Sequence, residues 1–256
     1  MRDVYAVVTG ASSGLGFEFA KQLSAMGYKI ILVARRRGKL EQVQKILKTP
    51  SIVFEADLGK TEECIRLMEE TRSLDIEVFI NNAGFGECGR FYETDAAKEL
   101  SMIDVNVSAV HLLMKLMLQR LKSRVSGGYI LNVASSAGLF PAGPYMATYY
   151  ATKAYVTSLT RAVAREMEEE QSDIYIGALC PGPVDTEFND VASVEFALKG
   201  ISAKKCVKYA IDQMFRRRVI IIPTLRMKVV CMIAKFFPTK QVVAMTGKQQ
   251  RRKKKI

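Results

Sequence analysis

The sequence predicts an α/β fold: one doubly wound domain in which seven parallel strands form a sheet with helices on both faces. Three observations carry this. Runs that are apolar along their whole length, such as KIILVA at 29–34 and IYIGALC at 174–180, alternate with helix-like stretches. A strand covered on both faces reads this way because neither side of it meets water. No internal repeat and no Pro- or Ser-rich linker breaks the alternation. At 49% hydrophobic and 25% charged residues, the 256-residue chain can bury a sizeable core.

The elements follow in order. VYAVVTG (4–10) is a buried strand, followed by a glycine turn and the helical FEFAKQLSAMG (17–27). KIILVA (29–34), a helix around 38–48, SIVFEA (51–56) and a helix around 60–72 come next. EVFINNAG (77–84), a long helix near 98–124, YILNVAS (129–135) and a helix near 148–170 follow. IYIGALC (174–180) and VIIIP (219–223) complete the strands. Open sheets of this kind bind ligands beyond the carboxyl ends of their strands, so the residues after each strand carry the chemistry.

Composition removes several functions. The single histidine, His111, lies in the apolar run HLLMKLML and reads as a helix residue. A multi-histidine zinc site is therefore ruled out, no metal site is expected, and a Ser-His-Asp triad would need that one residue. The five cysteines are scattered without CxxC, which reads as free thiols in a reducing compartment. The first residues lack signal-peptide features, and no apolar run approaches the roughly 20 residues of a membrane span. The expected location is cytoplasmic, with membrane-peripheral attachment left open. The net charge of +12 is uneven: residues 216–256 hold 13 Lys/Arg and no Asp/Glu, leaving 25 basic against 26 acidic residues elsewhere. A neutral body argues against nucleic acid as a partner.

After the first strand stands Thr9-Gly10-Ala11-Ser12-Ser13-Gly14-Leu15-Gly16. Glycines in a turn between strand and helix let the backbone approach a pyrophosphate, which the free N–H groups and dipole of the next helix favour. Gly10, Ser12, Ser13, Gly14, Leu15 and Gly16 are the first cofactor candidates. The second strand ends in Arg35-Arg36-Arg37, where an acid would favour NAD. Arg35 and Arg36 can instead pair with the 2′-phosphate of NADP. Asp57, with Leu58 beside it, can receive the adenine amino group. Asn82, Ala83 and Gly84 offer a close backbone approach beside the adenosine.

TYYATKAY (148–155) raises a choice. On a helix Lys153 is within reach of both Tyr149, four residues back, and Tyr150, three back. Spacing alone leaves the choice open. A tyrosine near an ammonium can serve as the acid–base that accompanies hydride transfer.

Taken together, TGxxxGxG, NNAG, a serine thirteen residues before a tyrosine, YxxxK and PGxVxT resemble the short-chain dehydrogenase/reductase family, over roughly residues 4–222. The resemblance implies a Rossmann-type fold and NADP(H) as cofactor. It makes Tyr149 the acid–base and Tyr150 a packing residue. Ser136, with Ser135 as its rival, would bind the substrate oxygen. Lys153 would hold the nicotinamide ribose and depress the Tyr149 pKa, and Asn106 would support a water relay. Pro181, Gly182, Val184 and Thr186 match the stretch that contacts the nicotinamide.

The expected reaction moves a hydride between NADP(H) and a ketone or secondary alcohol. The apolar lid expected over 186–202 (Phe188, Val191, Val194, Phe196, Ala197, Leu198) suggests a steroid-like or fatty-acyl-like substrate. A small-carbonyl reductase and a non-catalytic NADP(H) sensor or scaffold are the alternatives. The expected assembly is a homodimer or homotetramer. Residues 1–247 are read as the domain, with a helix at 225–237 that either caps the pocket or, together with the basic tail, lays an apolar face on a membrane surface. The basic tail 248–256 is either solvated or in weak contact with a membrane surface. This ending loosely resembles the hydroxysteroid and long-chain ketoacyl reductase branch of the family.

Overall fold

The computed structural model describes residues 3–186 and 200–253. In chain order the elements are β1 (Tyr5–Thr9), α1 (Gly14–Ala25), β2 (Lys29–Ala34), α2 (Arg37–Gln44), β3 (Ser51–Glu55), α3 (Thr61–Glu70), β4 (Ile76–Asn81), α4 (Ala96–Ile103), α5 (Val110–Lys122), β5 (Gly128–Val133), α6 (Ala147–Glu169), β6 (Ile174–Leu179), β7 (Val184–Asp185), β8 (Ile201–Ser202), α7 (Ala203–Phe215), β9 (Ile220–Ile221), α8 (Leu225–Ile233) and α9 (Thr239–Lys253). A π-helical turn, Asp104–Ala109, joins α4 to α5. Short 3-10 turns occupy Ser136–Leu139 and Ala234–Phe236.

Seven strands form one sheet in the order β3-β2-β1-β4-β5-β6-β9, with every pairing parallel, as the apolar runs predict. Successive side chains of a strand point to opposite faces, and the core divides accordingly. Ala6 and Val8 of β1 pack with Phe19 and Leu23 of α1 and with Val207 and Ile211 of α7. Val7 packs on the other face with Leu67 of α3 and Leu113 and Met117 of α5. Each fully buried Val, Leu, Ile, Phe or Met among these contributes about 1.5–3 kcal/mol. The strand order reverses between β1 and β4, and Val8 pairs with Ile80 there. The residues following these two strands therefore flank one crevice.

The long helix expected near 98–124 is α4, the π turn and α5 in one run. Residues 96–122 are long and apolar enough to cross a membrane by length and composition. In this fold Leu113, Met117 and Leu121 pack instead against the sheet.

Two helices went unread in the sequence. Ser202 caps α7, whose Cys206, Val207, Ala210, Ile211 and Met214 face the core. Helix α9 runs through the boundary drawn at residue 247, so the segment read as a basic tail is helical to residue 253. Its inward residues are Val242, Thr246, Gly247 and Gln250, too small and polar to form an apolar stripe. Of the expected lid, residues 187–199 lie outside the described residues, including all six apolar positions. The two-residue ribbon of β7 and β8 holds its ends together, with Val184 paired to Ile201.

Candidate active site

The carboxyl end of β1 is built around Thr9. Its Oγ1 accepts from the backbone N–H groups of Asn82 at 2.8 Å and Ala83 at 2.9 Å, tying the end of β4 to the glycine turn. Asn82 returns the tie: its Nδ2 donates to Thr9 O at 2.8 Å. Asn82 thus shapes the crevice wall. Gly10 and Gly14 have φ of 65° and 56°, a region that only glycine adopts freely. A side chain at Gly16 would collide with the carbonyl of Gly10. The helix α1 starts here with no side-chain cap and no acid in its first turn, so its leading N–H groups face the crevice. Leu15 packs on the core behind the turn.

Arg36 reaches this turn from the end of β2. Its Nη2 donates to Ser12 Oγ at 3.2 Å and to Ser13 Oγ at 3.4 Å, while Arg35 beside it stands exposed. A guanidinium beside two hydroxyls at a helix N-terminus makes a basic cradle suited to a phosphate. Asp57 spends one carboxylate oxygen on its own turn, accepting from Gly59 N at 3.2 Å, and Leu58 is buried. On the far side Thr186 lies against Gly14, and Pro181 O accepts from Ser136 N at 2.8 Å. Gly182 touches Met227 of α8, and Val184 is buried in β7.

At the centre, helix α6 carries Tyr149 and Lys153, both buried. Lys153 Nζ donates to Val133 O at 2.9 Å and lies 5.9 Å from the centroid of the Tyr149 ring. Burial pulls the ammonium down to about 8, against a weaker opposing pull from Cys180. A Cβ at Gly84 would stand 3.3 Å from Lys153 Nζ and 2.8 Å from Asn106 Oδ1, so only glycine leaves the backbone this close to the lysine. Asn106 sits in the π turn, a feature often found at functional sites. Its Nδ2 donates to Phe85 O at 2.9 Å and Thr152 Oγ1 at 3.2 Å, and its Oδ1 accepts from Phe85 N at 3.0 Å. The side chain is thus spent on fixing the loop after β4 to α6.

Ser135, the rival of Ser136, is the serine hydrogen-bonded to the Tyr149 phenol. Its Oγ accepts from Ala137 N at 3.1 Å and caps the 3-10 turn, which leaves its proton for the phenol oxygen. Ser136 stands next to it with its backbone N–H on Pro181 O. One expectation is corrected: the Tyr149 phenol is raised, not depressed. Burial pushes it up to about 12, outweighing the opposing Ser135 hydrogen bond. Tyr150 turns away: its hydroxyl accepts from Gln250 Nε2 of α9 at 2.6 Å.

His111 is a helix residue, with Nδ1 2.8 Å from Tyr155 Oη. All five cysteines are buried free thiols. Among the described residues no cluster of His, Cys, Asp and Glu could hold a metal ion.

Known proteins are similar to this chain in sequence and fold. A family model described as short chain dehydrogenase matches residues 4–195. A very-long-chain 3-oxoacyl-CoA reductase of Kluyveromyces lactis is 31% identical over 68% of this chain and 53% of its own length, so the chain spans about half of that relative. Dehydrogenase/reductase SDR family member 11 of Homo sapiens is 32% identical over 73% of this chain and 75% of its own. A solved short-chain dehydrogenase from Sphingobium yanoikuyae in complex with NADPH superposes with a TM-score of 0.80 at 26% identity, covering 91% of this chain and 94% of that one. With the family model covering most of the sequence and the same sheet underneath it, this chain belongs to the short-chain dehydrogenase/reductase family.

Proposed function

We propose that the protein is an NADP(H)-dependent oxidoreductase that interconverts a ketone and a secondary alcohol on an apolar substrate. One observation carries this: a buried phenol, Tyr149, bonded to Ser135 and lying over Lys153. A sensor or scaffold has no use for that group, which can move a proton where water is excluded.

The residues fit a dinucleotide. The glycine turn and the N-terminus of α1 suit a pyrophosphate, the close approach at Gly84 opens the way to Lys153, and Arg36 suits a 2′-phosphate. A nicotinamide bound there supplies or accepts the hydride. The rest falls to the chain. Tyr149, kept neutral by burial, donates its proton to the developing alkoxide. With substrate bound, the one Ser135 proton turns from the phenol to the same oxygen, a hydrogen bond worth most where the charge is largest. Lys153, whose ammonium lies 5.9 Å from the centroid of the Tyr149 ring, offsets the phenolate left behind. Asn106 keeps the loop and α6 in register.

The apolar substrate is supported by the composition of 186–202 and by the Kluyveromyces lactis relative, whose name specifies a very-long-chain oxoacyl substrate. Assembly as a homodimer or homotetramer is supported by a concave apolar surface lined by Phe91, Ile103, Val107, Ala151 and Tyr155. The test is NADPH oxidation across steroid, bile-acid, ketoacyl and small sugar-like carbonyls. Turnover of the bulky apolar members is expected. Activity confined to small polar carbonyls rejects the substrate class, and NADPH binding without turnover of any carbonyl favours the sensor.

A further inference from the structure

Residues 225–237 present an apolar surface that the fold leaves uncovered. The inner face of α8 and the following 3-10 turn is narrow: Met227, Cys231 and Ala234, spaced four and three apart. Outward stand Leu225, Val229, Val230, Met232, Ile233, Phe236 and Phe237, between 38% and 84% exposed. Single exposed hydrophobics are ordinary, but seven within 13 residues form a patch of the kind that marks an interaction surface. Arg226 and Lys235 are exposed on the same segment and Lys240 just beyond it, and no acid occurs from residue 216 to the end of the sequence. The outward residues fan over one broad arc of the helix opposite Met227 and Cys231, wider than a single stripe. A fluid hydrocarbon boundary accepts such a broad face, whereas a groove on a partner protein fits a stripe. Cations without acids suit anionic headgroups.

We propose that residues 225–237 dock the protein on the surface of an anionic lipid bilayer, with Leu225, Val230, Ile233, Phe236 and Phe237 at the acyl boundary and Arg226, Lys235 and Lys240 among the headgroups. This moves the contact away from residues 248–256, where Gln250 is buried against Tyr150. The inner residue Met227 touches Gly182 beside the catalytic centre, so docking brings that end of the sheet to the lipid. If the reading given under the proposed function holds, substrate can then enter from the bilayer.

Sedimentation of the full chain with vesicles tests this without any turnover. Vesicles of equal parts phosphatidylcholine and phosphatidylserine are compared with phosphatidylcholine alone. The protein should sediment with the anionic vesicles and far less with the neutral ones. Ile233→Ser/Phe236→Ser should cut the bound fraction at least about tenfold, as loss of two inserted side chains requires, with an unchanged circular dichroism spectrum. A chain ending at Gln250 should keep most of the binding. Unchanged binding by the double variant overturns the proposal, as does equal binding to both vesicle types or to neither. Loss of binding on truncation alone assigns the contact to the tail and also overturns it. A dimer in light scattering without lipid that the double variant converts to monomer gives the face to a second copy, and the bilayer proposal then falls as well.

Discussion

The hydroxyl of Tyr150 accepts a 2.6 Å hydrogen bond from Gln250 Nε2, one hundred residues further along the chain, and both side chains are buried. Its neighbour Tyr149 points instead to Ser135 and Lys153. On the proposed function, the two adjacent tyrosines divide their work between holding the C-terminal helix and moving a proton. Tyr149→Phe should lose about 10²–10⁴ in turnover while NADPH still binds, the usual scale of acid–base catalysis. Tyr150→Phe should keep turnover within a few-fold but lose about 1–3 kcal/mol of stability, because it strands the Gln250 amide in the interior. A chain ending at Gly247 should show the same stability loss. Steady-state rates and thermal melts of the three variants decide it, and equal rate losses at both tyrosines overturn the division.

Ser135 and Ser136 differ in what they touch, and so should their variants. Ser135→Ala removes a hydrogen bond to the oxygen that becomes charged and should cost about 10²–10³ in kcat. Ser136 meets the β6 loop through its backbone N–H, which any residue supplies, so Ser136→Ala should cost less than about tenfold. Matching losses would return the role to both serines.

The sheet was legible because burial on both faces writes a continuous apolar run, and each of the seven predicted strands lies in it. The glycine turn was legible because it fixes a backbone path, whereas helix spacing put both Tyr149 and Tyr150 within reach of Lys153 and the family resemblance chose between them. Less legible was whatever depends on direction across irregular chain. Ser135 stood second to Ser136 because a residue count through 140–146 says nothing about which hydroxyl caps a turn. The Val133 carbonyl that holds Lys153 leaves no mark in any side chain. Helix α9 escaped because it packs through Thr246, Gly247 and Gln250, which carry no apolar period. The sign of the Tyr149 shift was missed because spacing shows the nearby ammonium but not the burial that outweighs it.

Those two shifts set the pH dependence of carbonyl reduction. The proposed mechanism needs Tyr149 protonated and Lys153 charged. With the phenol pushed up to about 12 and the ammonium pulled down to about 8, Lys153 is the first of the two to lose its proton as pH rises. The rate should therefore hold below about pH 8 and fall above it, about tenfold per unit for loss of one proton. Lys153→Arg keeps its charge to far higher pH, so the residual activity of this variant should lose the alkaline limb. A limb that stays in place in Lys153→Arg belongs to another group.

Arg36 should set cofactor choice. Its guanidinium donates to Ser12 and Ser13 at the mouth of the glycine turn, where a 2′-phosphate would meet both the charge and the hydroxyls. NADPH should bind more tightly than NADH by about 1–3 kcal/mol, the scale of charge-assisted hydrogen bonds. Arg36→Ala should bring the two dissociation constants together. The ratio is the readout, because loss of the Ser12 and Ser13 contacts can weaken both cofactors alike. Arg36→Lys should keep part of the preference, since an ammonium retains the charge but not the planar fork. Arg35→Ala should change the ratio less, because both arginines are exposed but it is Arg36 that already bonds to the turn. Fluorescence titration of the four proteins with both cofactors measures each ratio. An unaltered chain that prefers NADH, or a ratio that Arg36→Ala leaves unmoved, removes Arg36 from the role.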